Sequence, residues 1–342
     1  FLDEVDALAG FLREHWGREH VLVTDRRVLD RQHRDEGRGR YDAMLAWHGD
    51  EVVGVLGFIA ASRFDPVLAG VRDTLWLTTW RARDDAPPGT GLALVRALQR
   101  EVPHGWMGTV GLRASAVPLY RGLGFRVGEL ERWVIVDPDA TPRLLAREGA
   151  AAVPMARLGP GEGARPLVAV GADDLRDPVL VRRLDATGTV PARTAAHTVG
   201  RFLADPFFRY RVHLAEGDGR VALLVSRVVR HADAAALRLV AVVGDFLALA
   251  GTGPALLALL RADGAEHAEL QVAGAGDAPA AAGLHRVDGV EGLVVPERYD
   301  PFEPAGSPLR YALRGPEGPV LVTRGDADQD RPNRPVPPVP SP

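Results

Sequence analysis

A strand, a glycine turn and a helix occur twice in this chain, and this repeat limits the folds that the chain can adopt. The segment "GTGLALVRAL" at 89–98 returns as "GTGPALLALL" at 251–260. Upstream, "LWLTTW" from Leu75 aligns without a gap with "LRLVAV" from Leu237, at the same displacement of 162 residues. Repetition over this distance indicates that one domain was duplicated and that the copies then diverged. The 342 residues are enough for two such domains, since a single core seldom grows beyond about 250 residues.

Periodicity predicts the element order of the first copy. The apolar spacing in "LDEVDALAGFLREHW" and the cap signal in "TDRRVLDRQH" predict two opening helices. A hairpin of "YDAMLAWH" and "EVVGVLGFIAAS" and the strand "DTLWLTTWRAR" come next. The turn then leads into a helix with Leu92, Val95 and Leu98 on one face, the strand "GWMGTVGL", the helix "ASAVPLYRGL" and a single strand "GFRVGELERWVIVDP". The predicted order is ααβββαβαβ.

The repeat and the composition of the joining segments divide the chain into four parts. We expect an N-terminal lobe at 1–136, a linker at 137–160, a C-terminal lobe of diverged sequence at 161–325 and a tail at 326–342. The tail is polar and then rich in proline, which predicts a solvated, disordered end without a packed core.

Composition excludes several classes of protein. A net charge of −4 with 25% charged residues gives no global attraction to nucleic acid or to an anionic membrane. The absence of cysteine excludes thiolate nucleophiles and thiolate metal sites. No apolar run approaches the roughly 20 residues needed to span a bilayer, and the first residues carry acidic groups that a signal peptide would lack. We therefore expect a cytoplasmic protein, as a monomer or homodimer, without nucleic-acid or membrane partners.

The first glycine turn has two interpretations. A strand that delivers Gly89 and Gly91 to a helix N-terminus gathers free N–H groups and the positive end of the helix dipole, which suits a phosphate. The same glycines can merely make the turn. A dinucleotide fingerprint is disfavoured because Leu94 stands in place of its third glycine, and no Gly-Lys-Ser/Thr follows for a P-loop.

A second motif extends the first. "PGTGLAL", a strand, and then "A-x-x-L-Y-x-x-L-G-F" from Ala116 to Phe125 resemble the GNAT acetyltransferase superfamily over about the first 135 residues. The resemblance implies two GNAT lobes, each a mixed α/β (α+β) unit with a central, mainly antiparallel sheet flanked by helices. It also implies that the turn binds the pyrophosphate of acetyl-CoA or another acyl-CoA, and that Tyr120 protonates the leaving thiolate. The residues implied for coenzyme binding are Trp80, Arg81, Pro88, Gly89, Thr90, Gly91, Leu92 and Arg113.

The chain departs from the family pattern in both halves. Ala86 replaces the usual Gln or Arg ahead of the first glycine, and Arg113 replaces the usual Asn ahead of the tyrosine motif. In the second half Pro254 replaces Leu92, and Pro279 falls where Tyr120 would map. The second lobe is therefore predicted to be catalytically silent.

The acceptor is expected to be an amine on a small molecule. In the family it approaches opposite the coenzyme, against the opening helices. We expect His15, Trp16, Asp30, Gln32 and His33 to bind it, with His20 or Asp84 as base. The histidines can equally be surface or capping groups, and Asp84 and Asp85 can cap the following turn. No metal is expected, because no spacing here matches a known zinc motif.

The sequence thus predicts an acyl-CoA-dependent N-acyltransferase. The opening "F-x-R-E-x-W" and the ending "D-Q-D-R-P-N" are loosely similar to acyltransferases of amino-sugar and surface-polysaccharide pathways, so an amino sugar or sugar nucleotide is the expected acceptor. Two alternatives stay open: a binding module that holds coenzyme A without turnover, and an acyltransferase with an acyl-carrier or aminoacyl-tRNA donor.

Overall fold

The computed structural model describes residues 4–147, 164–299, 302–303 and 308–332. Most of the predicted linker, 148–160, and the proline-rich end of the tail lie outside the described residues. The helices are α1 Val5–His15, α2 Val21–Thr24, α3 Arg26–His33, α4 Thr90–Glu101, α5 Val117–Gly122, α6 Pro178–Asp185, α7 Ala195–Thr198, α8 Gly253–Asp263 and α9 Ala278–Ala281. None of these described helices is long and apolar enough to cross a membrane.

The strands follow the predicted order in the first half, with short additional pieces. They are β1 Arg34–Asp35, β2 Arg40–Tyr41, β3 Ala43–His48, β4 Glu51–Ala60, β5 Thr74–Ala82, β6 Trp106–Val110, β7 Arg126–Glu129, β8 Glu131–Val136, β9 Ala146–Arg147, β10 Val168–Val170, β11 Arg211–Gly217, β12 Arg220–His231, β13 Ala234–Gly244, β14 His267–Ala273, β15 His285–Arg286, β16 Leu293–Val294, β17 Arg298–Tyr299, β18 Phe302–Glu303, β19 Arg310–Arg314 and β20 Val322–Thr323.

The chain forms two compact units. Among the described residues the first comprises 4–127, 311–317 and 327–332, and the second comprises 128–147, 164–299, 302–303, 308–310 and 318–326. The first unit has a six-stranded sheet of order β3-β4-β5-β6-β19-β7, in which β5 and β6 are parallel. The second has an eight-stranded sheet of order β10-β11-β12-β13-β14-β8-β15, with β20 also paired to β14 and with β13 and β14 parallel.

Helix α4 shows how local sequence builds the first unit. Gly89 takes the left-handed conformation at its N-cap, with φ of 87°, and the helix ends where Pro103 follows Val102. Leu94, Val95 and Leu98 are buried in the core beneath it. Val95 and Leu98 lie on the apolar stripe that the periodicity predicts, but Leu94 completes it in place of the predicted Leu92, which is only half-buried.

The predicted strand "GFRVGELERWVIVDP" is wrong as a single element. It breaks at Leu130, whose side chain is buried and whose N–H donates to Leu309 O. Strand β7 belongs to the first sheet, but β8 lies between β14 and β15 in the sheet of the second unit. Strand β19, from late in the sequence, has the matching place between β6 and β7. Neighbouring strands in sequence thus enter different sheets, which apolar periodicity cannot specify.

The beginning of the tail is also packed, contrary to the expectation of a solvated end. Ala327 and Asp330 are completely buried and Pro332 is buried. Upstream, Arg324–Asp326 forms a buried 3-10 turn in the second unit. The charged residues of this segment therefore form internal contacts. The prediction of a solvated end is wrong for 326–332, because a polar composition does not show whether charged groups find partners inside the protein.

Candidate active site

The central strands of the first unit separate at a β-bulge. Between two paired positions, β5 carries one more residue than β4, which places the bulge at Thr78 and Thr79 opposite Gly57. The parallel pairing of β5 with β6 extends only to Trp76 and Gly108, although both strands continue. The diverging edges carry backbone N–H and C=O groups that an extended ligand with amide groups can pair with.

The glycine turn lies at the end of β5. Gly89 is exposed, and both the N–H and the hydroxyl of Thr90 donate to Pro87 O, at 3.2 and 2.7 Å. The next N–H groups of α4, from Gly91 and Leu92, are at the positive end of the helix and lack intrahelical acceptors. The turn can therefore bind an anion through its backbone, but the Thr90 hydroxyl is already used within it.

Tyr120 lies in an aromatic cluster between the turn and β6. Its ring makes edge contacts with Trp80, at 5.4 Å between centroids, and with Phe125, at 5.1 Å. Burial raises the pKa of the Tyr120 hydroxyl well above its usual value, partly opposed by a hydrogen bond with the Thr109 side chain. The phenol is therefore protonated at neutral pH. Thr109 belongs to the part of β6 beyond its pairing with β5, so the hydroxyl borders the opening.

Trp80 joins the turn to Tyr120. A Cβ on Gly91 would lie 3.3 Å from the indole Nε1. The structure thus brings together Trp80, Gly91 and Tyr120, which the sequence assigned to coenzyme binding and catalysis. Arg81 pairs with Asp84 across 3.1 Å beside this group, and Pro88 is exposed in the turn. Arg113 is exposed and precedes the 3-10 turn Ala114–Ala116.

The two faces of β4 contact different helices at this level. A Cβ on Gly54 would lie 2.9 Å from Thr90 Cγ2 of α4. A Cβ on Gly57 would lie 3.0 Å from His33 Cε1 and 3.1 Å from Thr78 Oγ1. Residues three apart on a strand point to opposite faces. The end of α3 therefore lies across the sheet from α4 and the glycine turn.

His33 and Gln32 are buried at the end of α3. His33 Nδ1 is 3.1 Å from Phe58 O, and His33 Nε2 is 3.2 Å from Gln32 Nε2. Burial, together with the charges of Arg63 and Arg331, lowers the pKa of His33 to about 4. The neutral ring therefore donates from Nδ1 to the strand beside the bulge and accepts at Nε2 from Gln32. Because both ring nitrogens are used in these hydrogen bonds, neither can accept a proton from the ammonium group of an acceptor.

The other residues expected at the acceptor wall have separate local partners. Asp30 Oδ1 accepts from Arg26 Nε at 2.7 Å and from the Tyr41 hydroxyl at 2.5 Å. His20 caps α2, because its Nδ1 accepts the Leu22 N–H at 3.3 Å. Two further residues lie near the end of α1: the ring of His15 packs on Phe11, at 4.8 Å, and Trp16 contacts His20 edge-on, at 6.3 Å.

Asp84 and Asp85 are exposed at the turn. The Asp84 side chain is 91% exposed and pairs only with Arg81 among the described residues. Hydrogen bonds from Arg83 lower the pKa of Asp85. Asp84 comes four residues after Trp80, about 13 Å of extended chain. These carboxylates therefore suit the capping alternative better than the role of a base near Tyr120.

Sequence reasoning missed several residues around the opening. Asp42 is completely buried, and burial raises its pKa to about 6. Thr109 contacts Tyr120, and Gln32 Nε2 donates to Asp328 Oδ2 at 3.3 Å. A Cβ on Gly111 would lie 2.4 Å from Gln329 Cδ. Asp328 and Gln329 lie in the "D-Q-D-R-P-N" ending, but the sequence does not place them here, because their partners are hundreds of positions away. No sequence signal identifies Asp42 or Thr109.

In the second unit the corresponding opening is filled by its own chain. Parallel pairing of β13 with β14 extends to Leu239 and Leu270, and beyond it Val272 and Ala273 pair with β20. A Cβ on Gly325 would lie 2.5 Å from Val240 Cγ1. Buried arginines hold this segment: Arg193 pairs with Asp326 at 2.6 Å, and Arg201 Nη2 donates to Gly325 O at 2.9 Å.

The second glycine turn repeats the geometry of the first but is closed. The Thr252 hydroxyl donates to Leu249 O at 2.7 Å, as that of Thr90 donates to Pro87 O. Thr252 is completely buried, and the Gly251 N–H donates to Ala281 O at 2.8 Å. The motif thus persists as a turn, but it is buried and the N–H of its first glycine donates to the protein itself.

Comparison with solved structures identifies the fold. A GCN5-related N-acetyltransferase from Kribbella flavida superposes with a TM-score of 0.54 and 16% identity, covering 92% of this chain and 69% of that chain. One from Anabaena variabilis ATCC 29413 gives 0.50 and 13%, covering 91% and 70%. The chain has the mixed α/β fold of these proteins, which confirms the predicted fold class. No protein-family model and no curated protein sequence matches it.

Proposed function

We propose that the first unit is an acyl-CoA-dependent N-acyltransferase that transfers an acyl group, with acetyl as the first choice, to an amine of a small molecule. The observation that carries this proposal is the convergence of three features at one opening: the bulged, diverging strands, the glycine turn and the buried phenol of Tyr120. Each occurs in other proteins, but together they can hold a phosphate, an amide-containing arm and a reacting thioester.

The residues fit the parts of acyl-CoA. The N-terminus of α4 would bind the pyrophosphate, and the free edges of β5 and β6 would pair with the amides of the pantetheine arm. Trp80 would pack beside that arm, since it lies between Gly91 and the ring of Tyr120. Ala86 removes one side-chain contact of the family and the exposed Arg113 would pair with a phosphate of the coenzyme, so the remaining contacts would come mainly from the backbone.

In the proposed reaction a neutral amine attacks the thioester carbonyl directly. A C–N bond forms, the C–S bond breaks, and backbone N–H groups at the bulge stabilise the oxyanion. Tyr120 donates its proton to the departing sulfur and regains one as the amine nitrogen loses its proton to solvent. Burial raises the pKa of the Tyr120 phenol, and it would also raise the pKa of the coenzyme thiol held beside it. Because both pKa values rise, the phenol can still donate its proton to the departing thiolate.

We further propose that the two units arose by duplication and that the chain binds one acyl-CoA. The filled opening of the second unit, its buried turn, and Pro279 in place of a tyrosine support this proposal. The amino-sugar acceptor stays a prediction, since two of the residues expected to bind it, Asp30 and His33, are engaged in internal hydrogen bonds.

The test measures release of free thiol from acetyl-CoA with a panel of amines. Tyr120→Phe should lower kcat by about 100-fold or more and leave the KM for acetyl-CoA within about twofold. Tyr210→Phe is the matched control, because Tyr210 is also buried against aromatic rings but in the second unit. Full activity of Tyr120→Phe would remove the acid role. Coenzyme A binding without thiol release from any amine would favour a binding module.

A further inference from the structure

The segment from Ala327 to Pro332 is an integral part of the first unit. Ala327 and Asp330 are completely buried there, and the Arg331 N–H closes a turn on Asp328 O at 3.2 Å. Such packing fixes the two half-buried residues in between, Asp328 and Gln329, at defined positions. Both residues lie in the "D-Q-D-R-P-N" ending, but Asp328 contacts Gln32 and Gln329 contacts Gly111, each more than 200 positions away, so the sequence alone does not show these contacts.

This segment crosses from β6 to α3 beside the opening. Gly111, directly after β6, has φ of 92° and lies against the Gln329 amide, where any Cβ would come within 2.4 Å. At the other side Gln32 Nε2 donates to Asp328 Oδ2 at 3.3 Å. Gln32 in turn contacts His33, which lies next to Gly57 and Thr78 at the bulge. The segment therefore lies on the sheet face opposite α4.

The Asp328 side chain is held in a fixed orientation by hydrogen bonds. Its Oδ1 accepts from Gln329 Nε2 at 3.0 Å and its Oδ2 from Gln32 Nε2 at 3.3 Å, so both donors are neutral amides. Among the ion pairs of the described residues none includes Asp328. A carboxylate has about four lone-pair sites, and two remain for a ligand. At the bulge, beyond Gln32 and His33, the Thr78 hydroxyl is buried without a hydrogen-bond partner in the described part of the chain.

We propose that Asp328 binds the acceptor as an ammonium ion, and that the segment Ala327–Pro332 forms the acceptor side of the active site. This inference rests on the proposed N-acyltransferase function. It defines the acceptor class as amines that are cationic at neutral pH, in preference to uncharged aryl amines. Asp328 is a substrate-binding residue here, since the ammonium must lose a proton to solvent before the nitrogen attacks.

The experiment measures amine binding directly, so that it does not depend on turnover. Calorimetric titrations use glucosamine, 1,4-diaminobutane and an amino-acid amide in the presence of coenzyme A, each compared with its fully N-acetylated counterpart, which carries no ammonium group. For the ammonium that binds best, Asp328→Asn should weaken binding about 10- to 100-fold, because a charge-assisted contact is lost, and should leave coenzyme A affinity unchanged. Glu101→Gln, at an exposed site on α4, is the control.

A second variant tests the position of the segment without touching the carboxylate. Gly111→Ala forces Gln329 away and should weaken ammonium binding in the same direction. Equal ammonium affinity in wild type and Asp328→Asn, or no preference of the wild type for ammonium over the N-acetyl compound, overturns the inference. Failure of the proposed function is distinct: it appears as absent thiol release or as full activity of Tyr120→Phe, whatever Asp328→Asn does.

Discussion

Replacing Asp42 with asparagine should raise the free energy of unfolding of the first unit above that of the wild type. We expect this gain to be large at neutral pH and small at acid pH. The Asp42 side chain is completely buried, neither of its oxygens has a hydrogen-bond partner among the described residues, and its closest cation is Arg40 Nε, at 3.7 Å. Burial is the largest influence and raises the pKa of Asp42 from 3.8 to about 6, with Arg63 and Arg40 opposing it. Asparagine has the same shape but no charge to desolvate.

The sign follows from proton binding. Between pH 3.8 and about 6 the folded protein holds a proton on Asp42 that the unfolded chain has lost. Asp42 therefore lowers stability progressively as the pH rises through this range, and the full cost remains above it. A difference of about two pKa units corresponds to about 3 kcal/mol. Asp42→Asn should accordingly gain up to about 3 kcal/mol over the wild type at pH 7.5, and little below pH 4.

Urea unfolding of both proteins at several pH values between 4 and 7.5 measures this difference. Contributions of other titrating groups cancel when the two free energies of unfolding are subtracted. Asp84→Asn serves as the control, since it removes an exposed carboxylate that folding does not bury. A difference between Asp42→Asn and wild type that is constant across this pH range would refute the argument that the charge is desolvated.

Three further predictions concern the site and its surroundings. His33 should show the opposite pH dependence: its folded pKa of about 4 lies below the ordinary 6.5, so its contribution is complete above pH 6.5 and is lost towards pH 4. His33→Gln should therefore flatten the stability profile in that range by up to about 3 kcal/mol, measured by the same urea titrations; an unchanged profile would mean that the imidazole is solvated. Gly91→Val should weaken coenzyme A binding at least tenfold, because a side chain there presses on Trp80 at the helix N-terminus, whereas Gly10→Val meets no atom within 4 Å and should bind normally. Calorimetry should give one coenzyme A per chain, and a second site that survives Gly91→Val would show that the second unit also binds it.

Local sequence predicted the elements of the first unit well. The apolar stripe of α4, the hairpin of β3 and β4, and the turn at Gly89 all depend on neighbours within a few positions, which periodicity and turn chemistry describe. The assignment of Trp80, Gly91 and Tyr120 to one site came from the family resemblance. In the structure the Trp80 ring contacts both the Tyr120 ring and the position of Gly91.

Predictions for the acceptor side depended on composition and were less accurate. Polar groups at 15–33 were expected to form one wall, but Asp30 forms a cluster with Arg26 and Tyr41, and His20 caps a helix. A histidine or aspartate can satisfy either a ligand or a nearby backbone group. Residue type alone cannot distinguish the two, because the choice depends on which donors the fold brings within about 3 Å.

The repeat by itself determined that the chain contains two related strand-turn-helix units and that only the first has the tyrosine motif. Tertiary structure decided which strands complete each sheet, with β8 in the second and β19 in the first. It also decided that 320–326 fills the opening of the second unit, and that Asp328 and Gln329 pack against Gln32 and Gly111 of the first unit. The physical reason is the separation along the chain of the residues that interact. Helices, hairpins and turns form from contacts between near neighbours, whereas strand placement and site closure depend on pairing and burial between residues far apart in the chain.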